Sequence, residues 1–236
     1  MKPILYLQSD SKWANHDYSA PGEKTTIKAE GCGIACSAMV IASLVDKKVT
    51  PMTTAEWSKA HGYKAKKQGT YYAYFKPQGA AYGLEIEMVS TVNSYHNPSA
   101  EAHKKALSAI EAGHWVIACM GKGNWTTSGH YVLWYDMEGN NVLINDPWST
   151  KKAQTNASYE LFRNEVKYYW IVKMPKKYME DDEVVKEDVI LVDGKEYTVS
   201  MIRKDGLTYI QTRDIADILN LDVSNEGRIP KLDTKK

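Results

Sequence analysis

A cysteine set between two glycines at the mouth of an apolar stretch, Glu30-Gly-Cys32-Gly-Ile-Ala-Cys-Ser-Ala-Met39, is the most chemically informative segment of this 236-residue chain. The glycines let other backbone approach the sulfur closely. At the N-terminus of a helix a thiol feels unpaired amides and the positive end of the helix dipole, and both favour thiolate. The same amides, that of Cys32 among them, are placed to hold an oxyanion beside the sulfur. A cysteine nucleophile needs a base. His130 in Ser128-Gly-His-Tyr-Val-Leu-Trp134 opens an alternating strand after a glycine-containing loop, a position that projects an imidazole into a cleft from a rigid support. Asn145-Asp146-Pro147 ends the next β-like run and offers an amide or a carboxylate to orient the imidazole from its Nδ1 side. Adjacent strand residues point to opposite faces, so only one of Asn145 and Asp146 meets His130.

These groups need elements to hold them. Ile34 to Val45 reads as a buried helix, Thr53-Thr-Ala-Glu56 has the capping-box pattern of a second helix ending near Ala60, and a third runs from about Ser99 to Ala112, closed by Gly113. Beyond Gly113 the texture turns to β. His114 to Met120, Tyr131 to Tyr135, Val142 to Ile144 and Tyr168 to Val172 are short aromatic or β-branched runs, and Asp136 to Asn141 has hairpin-turn chemistry between the second and third. Helices first and an antiparallel sheet second predict an α+β fold. All seven tryptophans precede residue 171, and a charged stretch at 176–187 then separates residues 1–175 from 188–236. The later part reads as a small β-rich module, with strands at Val189 to Val192, Tyr197 to Ile202 and Leu207 to Ile210, a turn at Asp193-Gly194, and a helix at Thr212 to Asn220.

Composition narrows the function. The chain carries 30 Lys+Arg against 29 Asp+Glu, a net charge of +1, and no basic run suited to nucleic acid. The balance is uneven along its length: from Lys176 onward there are 11 cations and 14 anions, which leaves the first part near +4. No apolar run approaches the roughly 18 residues of a membrane span, and the N-terminus shows no Sec-type export signal, so synthesis in a reducing cytoplasm without membrane insertion is expected. Three cysteines, Cys32, Cys36 and Cys119, argue against a disulfide scaffold. Sixteen Tyr and seven Trp against two Phe suit surfaces that bind while staying wet, as for glycan or peptidoglycan polymers.

Five segments in order carry a resemblance: Gln8-Ser-Asp-Ser-Lys-Trp13, Gly31-Cys-Gly-Ile-Ala-Cys-Ser-Ala-Met39, Ala112-Gly-His-Trp-Val-Ile117, Ser128-Gly-His-Tyr-Val-Leu133 and Asn145-Asp-Pro147. Residues 4 to about 173 resemble the bacteriocin-processing-peptidase-like cysteine peptidases of the papain superfamily. That resemblance implies a Cys32 nucleophile, a His130 base, Asp146 as the orienting residue and Gln8 at the oxyanion. The chain departs from the papain pattern six residues before the cysteine, where Thr26 stands in place of the glutamine. With its C-terminal appendage the chain further resembles phage endolysins that cut peptidoglycan, which implies a bacterial wall substrate. Residues Val192 to Tyr197 and Gly206 to Leu219 are similar to copper-amine-oxidase-N-terminal-like modules of lytic proteins, implying wall attachment or homo-oligomerisation. The module holds no histidine or cysteine, so no copper is implied, and no cofactor is expected for the catalytic unit.

The plainer readings bear on the remaining groups. Cys36 lies one helical turn after Cys32, half of a zinc site at most, and Cys119 reads as a buried strand residue. A zinc-dependent hydrolase and a protease acting on a peptide leader are the alternatives to wall hydrolysis. His16, His61, His96, His103 and His114 take ordinary surface or core roles, and the acidic run Glu180 to Glu183 is a solvated linker without the alternating oxygens of a calcium loop.

Overall fold

The computed structural model describes residues 1–89, 98–179, 186–204, 207–226 and 229–235. The chain divides into two compact units, Met1–Pro175 and Lys176–Lys236. His96 and the acidic run from Glu180 lie outside the described residues.

In the first unit the chain opens with α1 (Ile27–Glu30), α2 (Cys32–Leu44), α3 (Pro51–Ala60), the short strands β1 (Lys64–Ala65) and β2 (Gly69–Thr70), α4 (Phe75–Ala81), β3 (Ile86–Met88) and α5 (Ala100–Glu111). Then come β4 (Trp115–Met120), β5 (His130–Glu138), β6 (Asn141–Asn145), α6 (Lys152–Thr155), β7 (Asn156–Ser158), α7 (Tyr159–Glu165) and β8 (Val166–Val172). Six of the strands form one antiparallel sheet in the order β3-β8-β4-β5-β6-β7, so the helices-first, sheet-second reading of an α+β fold holds. Side-chain alternation gives the sheet two working faces. Ile117, Leu133 and Trp170 pack with Ile34, Met39 and Ile41 of α2, while Ala118, Val132 and Ile171 pack with Ala102, Ala106 and Ile110 of α5. With both faces covered, β4 is buried at every position.

Three boundaries differ from the sequence reading. α2 begins at Cys32 itself, two residues early, because Gly31 and not a polar cap precedes it. α3 is capped by Thr50, whose side chain accepts from the Thr53 amide while Thr53 answers the Thr50 amide, with Pro51 at the first helical position. Thr53, the expected cap, is therefore the answering residue of the box, three positions inside the observed cap. The hairpin turn closes on Gly139-Asn140 alone, with Gly139 at φ 60, so β5 extends to Glu138.

The second unit holds α8 (Lys176–Met179), a three-stranded antiparallel sheet of β9 (Lys186–Val192), β10 (Lys195–Lys204) and β11 (Leu207–Ile210), then α9 (Thr212–Leu219) and a hairpin of β12 (Leu221–Glu226) and β13 (Ile229–Thr234). The expected Asp193-Gly194 turn joins β9 to β10, both residues at positive φ. The closing hairpin was not foreseen; its residues alternate too weakly in polarity to show period two.

Candidate active site

Cys32 is the first residue of α2, and the glycines on either side have separate steric reasons. A Cβ at Gly31 would stand 2.4 Å from the Ile27 carbonyl oxygen, because α1 ends against the start of α2. A Cβ at Gly33 would stand 2.8 Å from Thr70 Oγ1 and 3.2 Å from the Tyr131 ring. The β1–β2 hairpin and β5 thus close onto α2 at its first turn, and only glycine admits them.

His130 begins β5 and Asp146 follows the last residue of β6. Register decides which neighbour it meets. Leu133 lies opposite Asn145, so Asn145 shares the Leu133 face, and the next residue, Asp146, shares the face of Val132 and His130. His130 Nε2 stands 2.6 Å from Asp146 Oδ1. The sequence reading expected the Nδ1 side; the bond instead uses Nε2, which leaves Nδ1 available to the sulfur. Asp146 is 1% exposed, and its Oδ1 also accepts from the Trp148 amide at 2.8 Å, while the Trp148 indole is 55% exposed. Asn145 turns away: its Nδ2 donates to the carbonyls of Pro3 and Ile4 at 3.1 and 3.2 Å and pins the N-terminal segment.

Cys32 and His130 line the same cleft, and their ionisation is linked. Burial pushes the Cys32 thiol up, but the hydrogen bond and charge of His130, with backbone hydrogen bonds from Tyr131 and Gly33, outweigh it and hold the thiol below its ordinary value. Burial alone would lower the His130 imidazole; its hydrogen bonds to Asp146 and Cys32, with their negative charge, raise it to about 10. Both shifts favour the charged forms, thiolate on Cys32 and imidazolium on His130. The other thiols are opposite in character. Burial drives Cys36 well above its ordinary value and Cys119 up to about 12.

Gln8 does not line the cleft with Cys32 and His130. Its Nε2 donates to the Lys28 carbonyl at 2.7 Å, its amide donates to the Pro147 carbonyl at 2.7 Å, and its buried Oε1 has no hydrogen-bond partner. The remaining described histidines each have a local partner: His16 with Glu56, His61 with the Trp57 carbonyl, His103 with the Tyr169 hydroxyl, and His114 with the Met174 amide. Among the described residues no group of three or more His, Cys, Asp or Glu is arranged to hold a metal ion, and no helix is long and apolar enough to cross a membrane.

The cleft over Cys32 has a volume of about 410 Å3. Sequence reasoning missed most of its wall. The β1–β2 loop contributes Lys67 and Gln68, the following segment Tyr71 and Tyr72, and β8 contributes Lys167. Two-residue strands carry no readable period. Cys119, expected in the core, also reaches the cleft floor and meets Tyr72.

Among solved structures, three peptidases align with the chain. The peptidase domain of Streptococcus ComA, a bifunctional ABC transporter of a quorum-sensing pathway, is 17% identical, covers 62% of this chain and 93% of its own, and has a TM-score of 0.42. A double-glycine-motif protease from an AMS/PCAT transporter, solved with its leader peptide, is 17% identical over 74% and 93%, with a TM-score of 0.43. A C39-like peptidase from Bacillus anthracis is 12% identical over 74% and 99%, with a TM-score of 0.45. A comparison with curated proteins finds no match. The Peptidase_C39 like family model matches residues 8–175, which is nearly the whole first unit. A match of that length assigns the chain to the Peptidase_C39 like family, and its first unit is a cysteine peptidase of papain-like α+β fold.

Proposed function

We propose that the protein hydrolyses amide bonds of bacterial peptidoglycan, either in the stem peptide or at the muramoyl–alanine linkage, through a thioester. The observation that supports the chemistry is that His130, hydrogen-bonded to Asp146, shares one cleft with Cys32. The Cys32 thiolate attacks the carbonyl carbon, and the His130 imidazolium gives its proton to the leaving amine. Water then attacks the thioester, with neutral His130 taking its proton, and the carboxylic acid leaves as the Cys32 thiolate and His130 imidazolium are restored. Asp146 keeps the imidazole oriented and stabilises its charged form. The oxyanion lies against the Cys32 amide at the start of α2. The wall as substrate is supported by the sequence resemblance to lytic enzymes and by the Tyr71 and Tyr72 rings, about half exposed at the cleft. The second unit serves attachment to the wall or self-assembly.

Digestion of purified sacculi followed by mass analysis of the fragments tests this. New amino groups or freed stem peptides are expected. New reducing ends without amino groups would overturn the amide chemistry, and intact sacculi alongside a cleaved protein or leader-peptide substrate would replace the wall with a peptide chain.

A further inference from the structure

Opposite the sheet, the cleft wall is fastened by a buried cation. Lys64 of β1, its side chain 2% exposed, places Nζ at 2.8 Å from Glu23 Oε2 and 2.7 Å from Glu30 Oε2, and donates to the Ala65 carbonyl. Both carboxylates reach onward to the loop backbone: Glu23 Oε1 accepts from the Lys67 amide at 2.5 Å, and Glu30 Oε2 from the Gly69 amide at 3.3 Å. Lys67 is thereby held at φ 59, a left-handed conformation that costs a non-glycine residue on the order of 1 kcal/mol. Glycine or asparagine would adopt it more readily, yet a lysine stands there, and it lines the cleft. From the sheet side, Lys167 lines the same cleft. No ion pair joins either ammonium to a described residue, and among the described residues no carboxylate lines the cleft. Apart from Cys32 and His130 themselves, the charged groups on the cleft lining are these two ammonium groups, an arrangement that draws anions.

We propose that Lys67 and Lys167 form a carboxylate subsite, so that the protein selects peptides bearing an acidic group beside the scissile amide. The inference deepens the proposed function and rests on its reading of Cys32 as the nucleophile. The probes are iodoacetate and iodoacetamide, which carry the same reactive carbon with and without a carboxylate. Their rates at Cys32 are followed by mass spectrometry in the full chain. The iodoacetate-to-iodoacetamide rate ratio is expected to fall about threefold in Lys67→Asn or Lys167→Gln and about tenfold in the double variant, to recover in Lys67→Arg, and to shrink with added salt. Lys67→Asn keeps the left-handed backbone accessible, so a lost ratio is not a lost fold. Sacculi with free stem glutamates should be cut faster than amidated ones, and the double variant should lose that preference. An unchanged ratio in the double variant, with Cys32 still alkylated fast, would overturn the subsite alone. Alkylation no faster at Cys32 than at Cys36 or Cys119 would overturn the nucleophile reading beneath it.

Discussion

The two units handle apolar residues in opposite ways. In the first, α2 and α5 cover the two faces of a sheet, and three tryptophans, Trp115, Trp134 and Trp170, are almost wholly buried. In the second, Val199, Met201 and Ala216 are the buried residues among those described, while Val189, Leu191, Tyr209 and Leu219 are 49 to 70% exposed. One unit draws its order from packed layers, the other chiefly from backbone ladders such as the seven-residue pairing of β9 with β10. Layers hold a sulfur, an imidazole and a carboxylate to hydrogen-bond tolerance, and ladders alone do not. The chemistry therefore belongs to the unit that can position it, and the second unit should be the first to melt.

The largest effect that would break this contrast is at Cys32. Cys32→Ser should lower turnover by a factor on the order of 10³ or more with both melting transitions unmoved, because a hydroxyl is a poor nucleophile opposite a base tuned for thiol. Cys36→Ala should keep turnover and cost stability in the first transition only; a dead Cys36→Ala would move the nucleophile. Next comes Asp146→Ala, with turnover down about 10²- to 10⁴-fold, and Asp146→Asn losing less. The pH profile sharpens both. His130 is raised from 6.5 to about 10, so the stability it supplies is full below 6.5 and is lost progressively as pH rises to about 10. Cys32 titrates below its unfolded value, so its share is present in alkali and is lost as pH falls through the lowered value. Alkylation of Cys32 should hold a plateau between these limits. In Asp146→Ala the upper limit should move down; an unmoved upper limit would detach Asp146 from His130.

Smaller effects follow. Asn145→Ala deprives the Pro3 and Ile4 carbonyls of their donor and should destabilise the first unit by about 1–3 kcal/mol while leaving turnover per folded molecule near that of the parent. A catalytic loss there larger than that of Asp146→Ala would exchange their roles. The smallest effect belongs to removal of the second unit. A fragment ending at Pro175 should show a single melting transition and unchanged turnover on a small amide substrate, and only binding to whole walls should weaken. A fall in small-substrate turnover would show that the layered unit depends on its neighbour.

What was legible in the sequence divides along the same physical line. Cys32, His130 and Asp146 could be named because each stands where an element begins or ends, and glycine, alternation and proline mark those places. Asn145 and Asp146 could be separated only by the bulged register of β5 against β6, which a single strand does not encode. α4 and α7, seven residues each, are too short to show a helical period. Lys64 was unreadable for another reason: its partners Glu23 and Glu30 lie 41 and 34 residues away, so nothing local announces that this lysine is buried and paired.

The exposed ring beside Asp146 gives the protein a built-in optical gauge. Trp148 is the one tryptophan more than half open to solvent, and its amide is tied to the Asp146 oxygen that meets His130. A collisional quencher such as iodide will reach its fluorescence ahead of that of the buried indoles. Any event that shifts Asp146, whether its own protonation or occupancy of the cleft beside His130, acts one hydrogen bond from that fluorophore and can be followed by light.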